Sequence, residues 1–417
     1  MENQKASEDI KVNKIDRIRF SISFFIFALL WMSGLAIVSA VLLPQHLKDL
    51  VGASSATAIY GVLNAVTAVA SLVANLLFGN FSDRTRSVLG RRTPWVIAGG
   101  VVGGISLLLV GVFSNVWAIG ISYCICMFGL NMMIAPVIAT LSDRIPDDMR
   151  ATMSAFMSAG TTVGSSIGTM IGAKFITVQF PGFITAAILM GIAGICTVVV
   201  WPREKSSKDM PAVKGGFGEL LASFKPPVKG ARDFWLAFSG RTLLIFSYYM
   251  ILNYQLYILE SYIGQSTTVA AATISVMSVI TMIVGLIGSL TSGAISDFIG
   301  RRKLPVIIAS ALLIIGYLLP WVMKTSFSMI LFAGFAGLGY AVYGAVDQAL
   351  NIDVLPSKEE AGKDLGILNI ATTLGQMAGP IITSILVGVG GYNLVFPTAI
   401  VFAILACIFI QLIRSTK

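Results

Sequence analysis

Charge is what this sequence has least of. Asp, Glu, Lys and Arg make up 12% of its 417 residues, against about 25% in a soluble domain. In a chain that is 56% hydrophobic, that shortage excludes one large soluble core and points to a polytopic membrane protein. Histidine is nearly missing. His46 stands alone after Pro44, at the end of an apolar run, and reads as a bystander. Cysteine is scarce too: Cys124, Cys126, Cys196 and Cys407 all lie in apolar runs, none in a CxxC. Cys124 and Cys126 project to different helix faces, so these are small core residues rather than metal or redox ligands. A GxxxxGK sequence followed by Ser or Thr is absent, which argues against ATP as the direct driver. Nothing resembles a catalytic triad or a metal cluster, so no enzyme activity, metal or cofactor is expected. The polar, basic first 19 residues precede a long apolar run with no clear cleavage site, which reads as a retained span rather than a signal peptide.

What is present is a succession of apolar runs, each of about 20 residues and long enough to cross a bilayer as a helix. Twelve are counted: 20–43, 56–79, 94–113, 116–140, 152–175, 181–201, 234–258, 268–293, 304–323, 328–352, 364–388 and 391–413. The longest hydrophilic gap, 202–233, is rich in Lys, Pro and Gly. The expected fold is therefore an all-α membrane protein with twelve transmembrane helices. Residues 1–201 form an N-terminal six-helix bundle, 202–233 a cytoplasmic central loop and 234–417 a C-terminal six-helix bundle. With both termini in the cytoplasm, 25 of the 28 loop and tail Lys and Arg residues fall on the cytoplasmic side, as the positive-inside rule requires. Only Lys48, Lys174 and Lys324 fall outside, and an odd number of spans would scramble the bias. The net charge of +9 thus reflects topology, and no nucleic-acid partner is expected. The lipid bilayer and a small-molecule substrate are the expected partners, for a monomer in the cell membrane, plasma or inner.

The two halves echo each other. Gly79-x-x-x-Asp83 aligns with Gly293-x-x-x-Asp297 at an offset of 214, and Asp143-x-x-Pro146 with Asp353-x-x-Pro356 at an offset of 210. Repeated halves of like topology are a transporter signature, with the site expected between them near the midplane. Gly79-x-x-x-Asp83-Arg84, followed by Gly90-Arg91-Arg92, resembles the loop motif after span 2 of the major facilitator superfamily. Gly293-x-x-x-Asp297, with Gly300-Arg301-Arg302, resembles its second copy after span 8. The longer form, Ser82–Trp95, resembles the loop of sucrose and other glycoside carriers. The resemblance implies that Asp83 faces the start of span 11, where a helix dipole favours a carboxylate, and gates the cytoplasmic side. The arginines would anchor the loop to acidic groups or anionic lipid, or serve only to set topology. Gly79 and Gly293 are expected to admit close backbone approach.

Two charges fall inside spans. Arg241 lies about 12 Å beyond Asp233 in span 7, and Asp347 about 9 Å before Asp353 in span 10. Intramembrane ionisable residues are costly and usually paired. The resemblance implies that spans 1, 4, 7 and 10 line a central cavity, so an Arg241–Asp347 coupling or gating pair is expected on its wall. The alternative is that each side chain reaches interfacial water by itself. Arg241, Tyr248 and Gln255 share one face of span 7, with Asn253 and Tyr249 beside them. Tyr340, Tyr343, Asp347 and Asn351 share one face of span 10, flanked by Gln348, and span 4 adds Asn131. Amides exchange hydrogen bonds with hydroxyls and aromatic faces stack on sugar rings, which makes these residues candidates for substrate binding.

Span 5 carries Gly160, Gly164, Gly168 and Gly172 near one face, expected to be a rocking interface against span 8. It has no proline, unlike the span 5 of drug/proton antiporters in the superfamily, while Gly379-Pro380 can bend span 11. Spans 1 and 2 hold no acid, which argues against sodium coupling of the melibiose-carrier kind. The expectation is a secondary transporter for a small polar solute, a sugar or glycoside, working by alternating access. Protons are the expected coupling ion, with Asp347 the site that releases Arg241 on protonation. Facilitated diffusion with the pair as a gate stays open, as does a multidrug or metabolite efflux carrier exchanging against protons. Short tails and a central loop of about 30 residues argue against a sensor built on the same scaffold.

Overall fold

The computed structural model describes residues 13–208, 227, 231–299, 303–355 and 361–414. Among them every regular element is helical. The helices are α1 (Lys14–Ile37), α2 (Leu43–Val51), α3 (Ala53–Arg84), α4 (Thr93–Val112), α5 (Val116–Arg144), α6 (Asp147–Lys174) and α7 (Gln179–Val200). They continue as α8 (Arg232–Leu252), α9 (Thr267–Ile299), α10 (Lys303–Met323), α11 (Ser326–Asp353), α12 (Ala361–Gly390) and α13 (Val395–Gln411). A π-turn at Val38–Leu42 joins α1 to α2, and a second, Ile258–Tyr262, follows the short turn Gln255–Tyr257 after α8.

Local chemistry sets the ends. Asn13 accepts the Asp16 N–H at 2.7 Å to cap α1, and Asn115 accepts from Trp117 at 2.8 Å to cap α5. Gly52, with φ of +80°, ends α2, and Gly391, with φ of +72°, ends the run after α12. Several helices outrun the apolar stretches that announce them. α3 continues to Arg84 and α5 to Arg144, so Asp83 and Asp143 stand on helix ends rather than in loops.

Eleven helical segments among the described residues are long and apolar enough to cross a membrane, with α1 and α2 counted as one. The helix that falls short of that measure is α6, the expected span 5. Its Ser, Thr and Gly content lowers its hydropathy, and packing supplies the reason. A Cβ on Gly164 would stand 2.6 Å from Leu29 O, one on Gly160 would stand 2.9 Å from Ala28 Cβ, and one on Gly168 would stand 2.8 Å from Ser33 Cα. Ser33 Oγ also donates to Gly164 O at 3.0 Å. The glycine face of span 5 therefore packs on α1 of its own half, which corrects the expected contact with span 8.

The chain divides into two compact units, Met1–Val38 with Val69–Lys214, and Ser39–Ala68 with Gly215–Lys417. Within the first, α1 packs on α6 and α7, and α4 on α5 and α7. Within the second, α8 packs on α12 and α13, and α10 on α11 and α13. These are the same four span pairings. The glycines follow the repeat as well: a Cβ on Gly375 would stand 2.8 Å from Thr242 O, and one on Gly379 3.0 Å from Phe246 O, bringing α12 against α8 as α6 comes against α1.

Candidate functional site

In the second unit, α8 and α11 each bury one charge. Arg241 Nη1 lies 3.0 Å from Asp347 Oδ2, with side-chain exposures of 7% and 5%. The structure thus brings together the two charges the sequence pairs. Asp347 is braced from its own helix, because residues four apart lie on one face. Tyr343 Oη donates to Asp347 Oδ1 at 2.6 Å, and Asn351 Nδ2 donates to Oδ2 at 3.0 Å. Arg241 is braced from α12, where Arg241 Nε donates to Thr372 Oγ1 at 2.9 Å. The close approach at Gly375, one turn beyond Thr372, brings that hydroxyl within reach. A buried ion pair is tolerated when the remaining lone pairs and protons find partners, and these side chains provide them.

Tyr248 and Tyr340 stack with ring centroids 4.2 Å apart and planes 9° from parallel. Tyr249 Oη accepts from Gln376 Nε2 at 3.1 Å. Gln376 stands four residues past Thr372, so α12 turns one polar edge toward α8. Sequence reading missed Thr372 and Gln376; their i,i+4 spacing opposite Arg241 and Tyr249 is the signal that could have found them.

The other expected binding residues are placed as follows. Tyr343 and Asn351 are buried, and their polar groups hold Asp347. Gln255 does not continue the Arg241–Tyr248 stripe on one helix: α8 ends at Leu252, Asn253, expected beside the stripe, is its C-cap, and Gln255 opens the following turn. A helical phase of 100° per residue therefore does not carry past Leu252, which corrects that expectation. The side chain of Gln348 lies outside the described residues. In the first unit, Asn131 Nδ2 donates to Ser71 Oγ at 2.7 Å and to Met127 O at 2.9 Å, while its Oδ1 accepts from Asn75 at 3.1 Å. Asn131 thus ties α5 to α3 with both ends of its amide.

The basic motif is a built cluster within the first unit. Arg92 is only 3% exposed and reaches Asp83 Oδ1 at 2.5 Å and Asp143 Oδ2 at 2.7 Å, with a second bond from its Nε to Asp143 at 2.9 Å. Arg91 Nη2 meets the same Asp143 oxygen at 2.9 Å. The two sequence signatures, one around Asp83 and one around Asp143, therefore meet. Glu204, from the central loop, accepts the backbone N–H groups of Arg91 and Arg92 at 3.1 Å and of Thr93 at 2.9 Å. It caps the α4 N-terminus from a distance, with the helix dipole in favour. Gly90 has φ of +96°, and a side chain there would collide with Glu204. Arg84 is exposed. No described atom lies within 4 Å of a Cβ placed on Gly79, which corrects the expected close approach at that glycine. In the second copy, Gly293 and Asp297 fall on α9; the Asp297 side chain and all of Gly300, Arg301 and Arg302 lie outside the described residues.

The model of the Major Facilitator Superfamily matches residues 20–257 and 241–417. A search of curated protein sequences finds no significant match. Among solved structures, a bacterial homologue of the human lysosomal transporter Spinster, in an inward-facing and unoccupied conformation, aligns with a TM-score of 0.70 at 14% identity, over 96% of this chain and 98% of that one. The nucleoside transporter NupG gives 0.72 at 18% identity, over 96% and 100%. The human organic anion transporter MFSD10 (TETRAN) gives 0.68 at 16%, over 95% and 99%. At these identities the likeness is one of fold. The family match spans nearly the whole of a multi-pass membrane chain, and the chain belongs to the major facilitator superfamily, whose members here are transporters rather than enzymes.

Proposed function

We propose that this chain is a secondary transporter that moves a small polar solute, a sugar or glycoside, by alternating access coupled to protons. Twelve spans with both termini in the cytoplasm, as two six-helix halves of a monomer in the cell membrane, complete the reading. The observation that carries it is the buried Asp347 carboxylate, held by Arg241, Tyr343 and Asn351. Protonating Asp347 removes the charge that balances Arg241, and that change of local charge can bias which conformation is favoured.

The glycoside reading draws support from the Tyr248–Tyr340 stack and the amide of Gln376, because aromatic faces and amides suit a polyhydroxylated ring. The Ser82–Trp95 loop, which resembles that of glycoside carriers, points the same way. A nucleoside is itself a glycoside and belongs in the substrate panel. An organic anion would compete with Asp347 for Arg241, which makes it the contrasting arm.

Uptake into proteoliposomes tests the reading. A sugar, glycoside or nucleoside should drive proton entry, and Asp347→Asn should abolish the coupling. Unchanged coupling in Asp347→Asn would remove Asp347 from the mechanism. Substrate entry with no proton movement in the parent chain would leave facilitated diffusion with the pair as a gate. Proton-driven export of apolar compounds, without uptake of any hydroxylated solute, would favour an efflux carrier.

A further inference from the structure

The glycine face of span 5 changes character toward the start of α6. Gly160, Gly164 and Gly168 recur every four residues, and the two preceding positions of the same row are Phe156 and Thr152. Where the row is glycine, α1 comes close enough for a Cβ on Gly164 to stand 2.6 Å from Leu29 O. Where it is Phe and Thr, side-chain bulk holds the two helices apart. Between the initial turns of α1 and α6, within the first unit, this leaves a crevice of about 410 Å³.

The crevice is apolar within and charged at its rim. Met149 and Met153 form a buried floor, and Ile18, Ile22 and Phe156 stand exposed along its walls. Ser21 spends its hydroxyl on its own helix, with Oγ donating to Arg17 O at 3.0 Å. Arg17 is the charged residue among the described residues that line the crevice, and it is exposed. The first six residues of α1 hold Lys14, Arg17 and Arg19 against the single acid Asp16, and Asp16 lies 3.9 Å from Arg19. The carboxylates that open α6, Asp147 and Asp148, have side chains outside the described residues. Arg17 also stands three residues before the apolar run that begins at Phe20, which puts its charge at the edge of the membrane-spanning part.

We propose that this crevice binds one anionic phospholipid, with the phosphate on the Arg17 guanidinium and part of one acyl chain between Ile18, Ile22 and Phe156. Charge complementarity selects the headgroup, because a guanidinium forks onto phosphate oxygens. Position selects a lipid over a soluble anion. A free phosphate would use Arg17 alone and leave the apolar walls uncovered, whereas a phospholipid held at the rim lays its chain against them. The site lies in the first unit, apart from the Arg241–Asp347 pair of the second, and it does not depend on which solute is carried.

The experiment follows tryptophan fluorescence of the full chain carrying Phe156→Trp, reconstituted into phosphatidylcholine vesicles in which a fixed fraction of the lipid has brominated acyl chains. The same chain without that substitution gives the background from the six native tryptophans. Brominated phosphatidylglycerol should quench the added indole as a lipid bound about fivefold more tightly than brominated phosphatidylcholine, the effect of one basic residue at an anionic surface. Arg17→Gln should abolish that preference, and Arg414→Gln, which removes an exposed arginine elsewhere, should keep it. Added inorganic phosphate should not relieve the quenching. Equal quenching by the two lipids would overturn the site, as would a preference that survives Arg17→Gln, one that is also lost in Arg414→Gln, or relief by inorganic phosphate. If the reporter chain does not fold, thermal unfolding in detergent carries the same comparison. Phosphatidylglycerol should then raise the melting temperature of the parent chain more than that of Arg17→Gln, and an equal rise in both would overturn the site.

Discussion

Tyr248 and Tyr340 lie face to face at 4.2 Å, and each stands seven residues from a member of the ion pair. Tyr248 follows Arg241 on α8, and Tyr340 precedes Asp347 on α11. Seven residues are two helical turns, about 10.5 Å of rise. The two helices therefore run antiparallel and meet at two levels, one charged and one aromatic. Under the proposed function, the charged level would serve protons and the aromatic level a ring-shaped solute.

The charged level should be costly to break from one side. Asp347→Asn or Arg241→Ala leaves an uncompensated polar or charged group in a buried place, a loss of about 3–5 kcal/mol for such pairs. Replacing both together, Arg241→Met with Asp347→Leu, should recover much of that stability while leaving proton coupling absent. Thermal unfolding in detergent, compared with proton uptake, separates the two effects. A double variant as unstable as the single ones would contradict the assignment.

The aromatic level should govern affinity rather than coupling. Tyr248→Leu and Tyr340→Leu each remove the stack, worth about 0.5–1.5 kcal/mol beyond buried area. The expected outcome is a several-fold rise in KM, with the ratio of protons to solute unchanged. Tyr→Phe at either position keeps the stack and should stay near the parent value. Uptake kinetics in proteoliposomes provide the comparison.

The motif cluster should behave as a structural unit of the first half. Arg92 is nearly enclosed and binds both Asp83 and Asp143, whereas the Arg91 side chain is 27% exposed and, among the described residues, pairs with Asp143. Arg92→Ala should therefore destabilise the chain more than Arg91→Ala. Arg92→Lys should not restore it, because a point ammonium cannot fork between two carboxylates. Glu204→Gln weakens a charge-assisted cap, and a loss of about 1 kcal/mol is expected. Melting temperatures rank the four variants.

The glycines divide into two groups. Gly164→Val and Gly375→Val each place atoms against a neighbouring backbone carbonyl, 2.6 Å and 2.8 Å from an added Cβ, and both should destabilise. Gly375→Val should also move Thr372 away from Arg241. Gly79→Ala meets no described atom within 4 Å and removes a residue costing about 1 kcal/mol in a helix, so the folded chain should be as stable or more so. A large loss of stability in Gly79→Ala would contradict that outcome.

Much of this was written in the sequence. Hydropathy announces helices because a chain in a bilayer must satisfy its backbone within each segment, and length then fixes what spans. The ion pair was readable for a related reason: two isolated charges in apolar surroundings have few affordable fates, and pairing is one of them. The repeat was readable because its glycines and acids recur at nearly constant offset. What the sequence by itself determined was thus the membrane class, the order of helices and the identity of the charged pair.

Other features waited for the tertiary structure, because they depend on which neighbour a face meets. A glycine stripe says that a backbone comes close but not whose, and the partner of span 5 proved to be α1. Helical phase holds only while the helix lasts, so Gln255, past the end of α8 at Leu252, left the stripe it had been given. An amide's chemistry does not reveal whether its partner is a ligand or the next helix, and Asn131 spends both ends on Ser71, Met127 and Asn75. Thr372 beside Arg241 and Lys48 beside Glu260 pair residues more than 100 positions apart. Side-chain reach is a few ångströms, and only folding brings such distant positions within it.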